Sequence, residues 1–550
     1  MSVLKPGRRA VLAAGLSLPL WGCTRNDSAV AYTGGWVGAD AERGHRLRDL
    51  KSGALPASAV QRRAGAIVVG AGIAGLAAAR ALRQSGIDDV QVFDLEDAAG
   101  GNSRGHVLGG MACPLGAHYL PLPGERAFEV IALLEELGLR STERGQPVYD
   151  ERHLCHSPQE RLFIGGQWHD GLLPPVEALP AEQRASTRAQ YAQFSAAVRR
   201  AGEGGAFSMP TARSAWRPAL DALDAVPFAQ WLDAQGLNAP ALRWYLDYCC
   251  RDDYGAGAAQ VSAWAGIHYF ASRHGFHAPG ESNEIRDGVL TWPEGNAWLS
   301  QRLAAPLGDR LRTGCMALRV SESRFEASVD VWNVRAQQIE RWTAPQVVLA
   351  LPLFVAARLL ETPPAALTPA VAAMRHAPWL VANLQLEQAL DDRPGAPLSW
   401  DNVVYDTTTQ PVATLGYVDA MHQSTRPHPG PTVLTAYWAL GGDTAAQLQT
   451  QRARLLNEPW SVWAQAVVAD IARAHPDLPQ KLKQVDLMRY GHAMSIPLPG
   501  LRSSAALRAL TAPQRRVQFA HSDLSSYSVF EEALYQGHRA GLAARREMSR

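Results

Sequence analysis

The stretch from Ala66 to Asn102 constrains the fold of this chain more than any other. It begins with Ala66–Val69, an apolar run rich in β-branched residues, which predicts a buried strand. The glycine-rich turn GAGIAG follows, and apolar residues then recur at helical spacing. A second apolar run, Val90–Phe93, predicts another strand. Strand, glycine turn, helix and strand in this order form the βαβ unit that binds dinucleotides.

Each glycine of the turn has a physical task. Gly70 permits the tight turn, Gly72 lets the backbone approach a pyrophosphate, and Gly75 lets the helix pack closely on the strand. The backbone N–H groups that open the helix, at Ile73 and Ala74, are then free to hold the pyrophosphate.

An acidic residue follows the second strand. Asp94 lies about 20 residues after the last glycine, where a carboxylate accepts a hydrogen bond from a ribose 2′-hydroxyl. No arginine takes its place, so the sequence disfavours NADP. The alternative interpretation of the whole stretch is a glycine-rich turn that binds nothing.

Length, charge and cysteine usage limit the functional classes. A chain of 550 residues has room for about two to four domains. Its 53 basic and 52 acidic residues give no electrostatic reason to expect nucleic acid as a partner. The six cysteines show no CxxC pair and no metal-ligand spacing, so we expect neither a metal site nor a disulfide framework.

Residues 1–23 have the pattern of an export signal. A basic start precedes an apolar stretch that is too short to span a bilayer as a helix. Gly7–Leu12 resembles a twin-arginine signal, and Leu20–Cys23 resembles a lipoprotein cleavage box with an atypical tryptophan. We therefore expect a protein of the bacterial envelope, periplasmic or anchored by a lipid on Cys23. An ordinary signal peptide or an amphipathic leader is the alternative.

Composition and periodicity divide the rest of the chain. Residues 24–63 are rich in Gly, Ala, Asp and Arg, which indicates a linker, with a strand or turn near Tyr32–Val37. Helical patterns dominate 181–275, and strand patterns return from residue 317. This alternation predicts an α/β (α+β) protein with a Rossmann-like domain and a mixed, largely helical second domain.

Two motifs accompany the nucleotide unit. The sequence DLEDAAGGN at 94–102 places an acid six residues before a pair of glycines. The loop GAHY at 116–119 follows.

Two further motifs lie towards the C-terminus. WPEGN at 292–296 precedes a predicted helix and then a predicted strand that ends in Pro352. FAHSD at 519–523 precedes a predicted helix in which Glu531 lies six residues before Gly537. In this order and at these distances, the four motifs resemble the flavin-containing amine oxidase superfamily, which includes polyamine oxidases, protoporphyrinogen oxidases and phytoene desaturases. The likeness spans residues 64–546.

This sequence departs from the family's pattern at two motifs. Asn102 stands where arginine is usual after the glycine pair, and His521-Ser522 replaces a single glycine in the C-terminal motif.

The resemblance implies FAD in a domain built from discontinuous segments, 64–125, 286–355 and 486–550. The intervening segments, 126–285 and 356–485, form the substrate domain. No cysteine occurs in the C-terminal flavin segment, so we expect non-covalent FAD.

The family also implies which residues hold the cofactor. The flavin ring would lie at the N-terminus of the last helix, which stabilises negative charge that develops on reduction. Asp523 or Ser522 would be the ribityl partner, although Asp523 could simply form a turn. The residues expected to contact FAD are Gly70, Gly72, Ile73, Ala74, Gly75, Asp94, Leu95, Gly101, Asn102, Gly116, Ala117, Val320, Asp523, Phe530 and Glu531.

Four residues are candidates for catalysis. His118 lies in the loop that faces flavin in relatives, and Tyr490 and His492 lie in a segment that resembles the strand entering the flavin pocket. Either histidine could instead be structural. Asp252 belongs to an acidic and aromatic cluster that could receive a cationic substrate or could be a solvated helix end.

The likeness also bears on the electron acceptor. Many oxidases of the family place a lysine beside flavin N5, and the resemblance puts Thr291 at that position. None of the four lysines of the chain is near it in the sequence. We therefore expect a dehydrogenase-like enzyme that passes electrons to a quinone or a cytochrome.

Three functions remain open. The leading one is an exported FAD-dependent oxidoreductase that converts the C–N bond of an amine or polyamine to an imine by hydride transfer to flavin N5. A C–C desaturase or dehydrogenase acting on an apolar isoprenoid or porphyrin-like substrate is the first alternative. A flavin-bearing binding or maturation protein without turnover is the second.

Overall fold

A computed structural model describes residues 32–50, 58–279, 288–407, 414–424, 426 and 428–550. The predicted export signal at 1–23, with Cys23 and the twin arginines, lies outside these residues. Within the described part of the chain, no helix is long and apolar enough to cross a membrane.

The strands are numbered in chain order. They are β1 (Thr33–Trp36), β2 (Val60–Arg63), β3 (Ala66–Val69), β4 (Val90–Phe93), β5 (Gly105–Leu108), β6 (Met111–Pro114), β7 (Tyr119–Pro121), β8 (Arg140–Glu143), β9 (Gln146–Tyr149), β10 (Glu160–Ile164), β11 (Gln167–Asp170), β12 (Val289–Thr291), β13 (Leu311–Arg312), β14 (Cys315–Glu322), β15 (Ala327–Asn333), β16 (Gln338–Ala344), β17 (Val347–Leu349), β18 (His376–Leu386), β19 (Asp401–Val404), β20 (Thr414–Asp419), β21 (Thr432–Ala439), β22 (Leu482–Ser495) and β23 (Val517–Phe519).

The α-helices are numbered in the same way. They are α1 (Ala41–Leu50), α2 (Ile73–Gln84), α3 (Phe128–Glu136), α4 (Ala181–Gly202), α5 (Pro218–Asp224), α6 (Phe228–Ala234), α7 (Pro240–Tyr254), α8 (Ala263–Tyr269), α9 (Ala297–Ala304), α10 (Leu353–Leu359), α11 (Leu367–Ala373), α12 (Ala445–Asn457), α13 (Trp460–Ala472), α14 (Leu478–Lys481), α15 (Ala505–Thr511) and α16 (Phe530–Met548).

A five-stranded parallel sheet, in the order β13-β4-β3-β17-β23, forms the centre of the nucleotide-binding part. β3 is buried at every residue, as expected for a parallel strand covered on both faces. Because side chains alternate along a strand, Ala66 and Val68 pack in the core that contains α2 and α16, whereas Ile67 and Val69 pack against the sheet β14-β15-β16-β2. The predicted βαβ unit is confirmed with the predicted strand bounds.

An eight-stranded sheet, in the order β1-β22-β18-β21-β20-β19-β10-β11, organises the second part. Next to the β1 edge, β22 and β18 pair antiparallel, and all of β18 is buried. One face packs on α13, where Leu380 meets Trp463. The other face joins the core of the helical block α4–α8 through Trp379 and Val381. The predicted mixed, largely helical second domain is confirmed.

The last helix packs directly on the helix of the nucleotide unit. A Cβ atom added at Gly537 would lie 2.0 Å from the carbonyl oxygen of Ala74, and one at Gly541 would lie 2.6 Å from that of Ala78. Only glycine allows α2 and α16 to approach this closely. This contact brings the N-terminus of α16 towards the glycine turn.

Residues 24–63 contain more structure than the linker predicted from composition. Their described part includes β1, α1 and β2, and the strand expected near Tyr32–Val37 is confirmed as β1. β1 pairs with β22 and β2 pairs with β16, so the segment adds strands to both parts of the molecule. β2 has the sequence VQRR, in which only Val60 is apolar, and hydrophobic periodicity cannot detect such a strand.

The positions of two further elements do not follow the predicted boundaries between the FAD-binding and substrate segments. α3 belongs to the core of α2 and α16, although the sequence assigns residues 126–285 to the substrate domain. β22 runs through the predicted boundary between residues 485 and 486.

Candidate functional site

The glycine turn between β3 and α2 leaves room for a ligand. Gly70 has a φ of +100°, and a Cβ atom at Gly75 would lie 1.7 Å from the Gly70 carbonyl oxygen, so both positions need glycine. At Gly72 an added Cβ would meet only the Cα of Gly101, at 3.8 Å. α2 starts at Ile73 without a side-chain cap, so its first N–H groups have no partner within the helix.

The glycine turn Gly70–Gly75 and the acidic loop after β4 together form a ligand-binding cradle. Asp94 accepts hydrogen bonds from the backbone N–H groups of Ala71 (2.6 Å) and Glu96 (2.9 Å). Burial raises the pKa of Asp94, and these two N–H groups act against the rise. Gly100 N–H donates to the Ala71 carbonyl (2.8 Å) and so brings the glycine pair beside Gly72. Open space over uncapped N–H groups fits a dinucleotide pyrophosphate.

The same loop leads to a cavity of about 120 Å³, which is large enough for several waters. The lining residues are Asn102, Gly116, Ala117, His118, Tyr119, Asp252, Asp253, Arg273, Asn296, Trp379, Val381, Tyr437, Tyr490, Ala493, Met494, Ser528, Val529 and Phe530. They come from both parts of the fold, so the cavity lies between the nucleotide-binding part and the helical block.

Backbone contacts hold the loops of the cavity together. Ala117 N–H donates to the Asn102 carbonyl (2.8 Å), and the Asn102 amide donates to the Ala493 carbonyl (2.7 Å). A Cβ atom at Gly116 would lie 2.2 Å from the Asn102 carbonyl oxygen, which explains the glycine of the GAHY motif. The predicted residues Asn102, Gly116 and Ala117 therefore form one wall with Phe530 nearby in the lining.

Three buried polar atoms in this lining lack partners among the described residues. They are the indole Nε1 of Trp379, the amide Oδ1 of Asn296 and the carboxylate Oδ2 of Asp253. A buried donor or acceptor without a partner lowers the stability of the folded protein, because it has lost its hydrogen bonds to water. We therefore expect a polar ligand to form hydrogen bonds with these atoms. A flavin ring, which has both donors and acceptors on its edge, fits this donor set.

The structure brings three of the four catalytic candidates together. His118, Tyr490 and Asp252 all line the cavity, whereas His492 lines a different one. The reason is a bulge in β22. Tyr490 pairs with Trp379, and Met494 pairs with Ala377. The two β22 residues are four positions apart, whereas their partners on β18 are only two apart, so β22 has extra residues at this point. A bulge reorients side chains, and His492 turns to the opposite side of the strand pair.

Burial sets the charges of the cavity residues. It lowers the pKa of His118 to about 3, so this imidazole is neutral at pH 7, and its ring stacks on Tyr437 at 4.4 Å between centroids. Burial and the neighbouring Asp253 raise the pKa of Asp252 to about 7. Tyr119 O–H donates to Asp252 Oδ2 (3.3 Å). Asp252 is therefore the group in the cavity that titrates near neutrality.

A buried ion-pair network borders the cavity. Arg273 Nη1 lies 2.5 Å from Asp253 Oδ1, and its Nε lies 2.9 Å from Glu531 Oε1. Burial lowers the pKa of Arg273, but the two carboxylates raise it, and the net effect is a pKa above the usual value of arginine. The side chain of Glu531, predicted to contact the cofactor, is thus occupied by Arg273, and its backbone lies in the first turn of α16.

The remaining cofactor candidates occupy other places. Asp523 is fully buried and binds the imidazole of His376 (3.0 Å) and the N–H of Leu353 (2.9 Å), so its carboxylate already has partners. Val320 is buried in β14, and its carbonyl accepts from Glu361 N–H (3.0 Å). Leu95 lies in the acidic loop, where its carbonyl accepts from Arg43 (2.8 Å). Contact of these residues with FAD stays a prediction.

Thr291 supports the cavity without lining it. Its hydroxyl donates to the His118 carbonyl (3.0 Å), and the residue is 2% exposed. Of the described lysines, Lys481 pairs with Asp477 and Lys483 with Glu387, and neither lines the cavity.

Sequence reasoning missed several lining residues, among them Arg273, Trp379 and Tyr437. Arg273 lies in a single π-helical turn, Phe270–His274, which continues α8 and has no recognisable hydrophobic pattern. Trp379 and Tyr437 lie in adjacent buried strands, where aromatic residues are expected in a core. The Trp379–Tyr490 pairing that brings Trp379 to the site depends on strand register, which the sequence alone does not reveal.

Comparison with known proteins identifies the family of this chain. A model of the flavin-containing amine oxidoreductase family matches residues 73–542. The chain belongs to this family. A coproporphyrinogen III oxidase of Mycobacterium leprae (strain TN) is 30% identical over 303 residues, which are 54% of this chain and 61% of that protein. The match thus spans less than two thirds of that relative.

Solved structures show the same fold at low identity. Putrescine oxidase bound to putrescine superposes with a TM-score of 0.62 at 18% identity, covering 89% of this chain and 100% of that one. Cyclohexylamine oxidase from Brevibacterium oxydans IH-35A gives 0.63 at 18% identity, covering 88% and 100%. This chain is therefore a flavin-dependent oxidoreductase with the amine oxidase fold.

The space over Gly72 gives a direct test of the cradle. A Gly72→Ala variant adds a methyl group that meets no protein backbone closely, so the fold is expected to persist while cofactor binding weakens. Flavin per polypeptide is measured from visible absorbance and folding from circular dichroism. Gly44→Ala, in α1, also adds a methyl group in open space and is the control. Full flavin content in Gly72→Ala would contradict the assignment.

Proposed function

We propose that this protein is an FAD-dependent enzyme that oxidises the C–N bond of a cationic amine, such as a polyamine, to an imine. The observation that supports this most strongly is an excess of carboxylates in an aromatic cavity. Asp252 and Asp253 line the cavity, Glu531 borders it, and Arg273 is the one cation among the described lining residues. Arg273 is already paired with two of the carboxylates.

Aromatic rings favour the same substrate class. His118, Tyr119 and Tyr437 line the same cavity as Asp252 and Asp253, and an ammonium group is attracted both to carboxylates and to aromatic rings.

The second candidate is a C–C dehydrogenase acting on a porphyrin-like or other apolar substrate. The partial similarity to a coproporphyrinogen III oxidase favours it. A carboxylated porphyrin would need cations to bind it, whereas the described lining offers only Arg273, which is engaged by Asp253 and Glu531. The charge of the cavity therefore favours the amine.

The roles of the residues follow from their contacts. The bound flavin supplies a two-electron acceptor for the hydride of the substrate C–H bond. Asp252 binds the ammonium group, and its Oδ1, which is not engaged by Tyr119, can hold the proton that the amine loses before oxidation. Neutral His118 and Tyr437 orient the substrate and exclude water. Water then hydrolyses the imine product to an aldehyde and an amine.

The cofactor is proposed to be dissociable FAD. None of the cysteines in the described residues lines the cavity, so no thiol is available there for attachment. Acid precipitation of the wild-type, flavin-loaded protein tests this, because all flavin should stay in the supernatant and flavin in the protein pellet would show a covalent bond.

Asp252 is expected to control amine binding. Replacing Asp252 with Asn removes a charge-assisted contact worth about 1.5–3 kcal/mol, so KM should rise about 10- to 100-fold. In the wild type, raising the pH through 7 deprotonates Asp252, so affinity for the ammonium form should increase and then level off. Asp252→Asn should lose this pH dependence, as measured by steady-state kinetics.

Asp309→Asn, at an exposed position in the nucleotide-binding part, is the matched control and should behave as the wild type. An unchanged KM and an unchanged pH profile in Asp252→Asn would exclude the proposed role.

We also propose that electrons leave to an acceptor other than oxygen, such as a quinone or a cytochrome. In support, no lysine among the described residues lines the cavity. After anaerobic reduction by substrate, stopped-flow mixing should show slow reoxidation by air and faster reoxidation by a soluble quinone. Rapid, stoichiometric formation of hydrogen peroxide in air would contradict this proposal.

Export to the bacterial envelope is a further proposal, supported by the twin-arginine pattern and the Cys23 motif. Cell fractionation should find the wild type in the envelope or periplasm. Replacing Arg8 and Arg9 with lysine should retain the precursor in the cytoplasm, and Cys23→Ser should release the protein from the membrane fraction. Equal fractionation of all three proteins would exclude this routing.

A further inference from the structure

A second cavity, of about 290 Å³, lies on the opposite side of the β18–β22 strand pair from the flavin-side cavity. Its walls come from α10 and α11 on one side and from α12, β18 and the β22 bulge on the other. The volume is close to the lower end of the range of small-ligand sites, about 300–1,000 Å³. Neither the fold nor the proposed amine chemistry accounts for this cavity.

Arginines make the cavity cationic. The guanidinium of Arg375 lines it and makes no hydrogen bond or ion pair with any described residue. Arg452 donates to the carbonyls of Gly491 (2.8 Å) and His376 (2.5 Å), which fixes its orientation and leaves Nη1 available. Arg358 lies one turn after Phe354 on α10, outside the lining, and its charge acts on the lining residue His492 by lowering the pKa of that imidazole, after the larger effects of burial, Arg452 and His376.

No carboxylate of the described residues lines this cavity to balance those charges. Asp523 lies behind His376, where it is fully buried and bound to the imidazole at 3.0 Å. Because two lining arginines face the space without an acidic partner there, an anion would be stabilised in it.

Apart from two histidines, His376 and His492, the rest of the lining is apolar. Phe354, Val371 and Leu448 contribute hydrocarbon surface, and the His492 ring packs on Phe354 at 4.8 Å between centroids. A hydrated inorganic anion would leave this surface without a partner. A ligand that has both a charged end and an apolar body would use both parts of the wall.

We propose that this second cavity binds an organic monocarboxylate, with its carboxylate paired to Arg375 and Arg452 and its apolar chain against Phe354 and Leu448. A guanidinium group binds a carboxylate through two parallel N–H donors. The guanidinium of Arg375, which has no partner among the described residues, can bind a carboxylate in this way. The site is separated from Asp252 by the strand pair, so it does not depend on the proposed amine oxidation.

The bulge in β22 places this site next to the first one. His492 faces the second cavity, whereas Tyr490 and Ala493 on the same strand face the flavin-side cavity. The bound carboxylate would thus contact the strand that forms a wall of the active cavity.

Calorimetric titration of the full-length, flavin-loaded protein tests the proposal. Hexanoate should bind saturably at one site, whereas hexan-1-ol and inorganic phosphate should bind much more weakly. Arg375→Gln should weaken hexanoate binding about ten-fold or more, since it removes a charged partner. Arg335→Gln, which removes an exposed guanidinium elsewhere, should leave binding unchanged.

Val371→Glu provides a second variant, because its carboxylate would occupy the arginines and block hexanoate without removing them. Thermal melting and flavin content should confirm that both variants fold. Equal hexanoate binding by wild type, Arg375→Gln and Val371→Glu would overturn the site. Absence of hexanoate binding to the wild type, or equal binding of hexan-1-ol or phosphate, would overturn the ligand class.

Discussion

The buried ion-pair network around Arg273 is the interaction on which the candidate site depends. It joins the π-helical turn after α8, the end of α7 through Asp253, and the first turn of α16 through Glu531. The helical block and the nucleotide-binding part thus meet through charges that are almost completely removed from water. Removing Arg273 would leave the buried carboxylates of Asp253 and Glu531 without their cation, at a cost of about 3–5 kcal/mol. This penalty holds α16 against the cavity in a defined position.

The network also determines the electrostatics of the cavity. Arg273 forms ion pairs with Asp253 and Glu531, so Asp252 has no cationic partner of its own among the described lining residues. Burial keeps its pKa at about 7 rather than in the usual carboxyl range. A cationic substrate would supply the missing partner and favour the ionised form. The arrangement that joins the two parts of the fold therefore supports the proposal of a cationic ligand.

Part of this architecture could be predicted from the sequence, because local patterns encode it. β3 and β4 have the bounds that their apolar runs indicate, and the glycines of GAGIAG predict the tight turn and the close packing of α2 on β3. Arg273 could not be predicted, since its partners lie 20 and 258 residues away and its π-helical turn has no sequence pattern. His492 was expected in the flavin pocket, but the β22 bulge turns it to the other side. Register and bulges arise from tertiary pairing.

We propose that an anionic, aromatic cavity beside the flavin site receives a cationic amine. The decisive experiment is an anaerobic titration of the flavin-loaded protein with putrescine, spermidine and simple primary amines, with flavin absorbance as the signal. We expect bleaching by at least one of these amines and none by butane-1,4-diol, a neutral analogue of putrescine. Bleaching by a porphyrinogen or another apolar substrate, with no response to any amine, would contradict it.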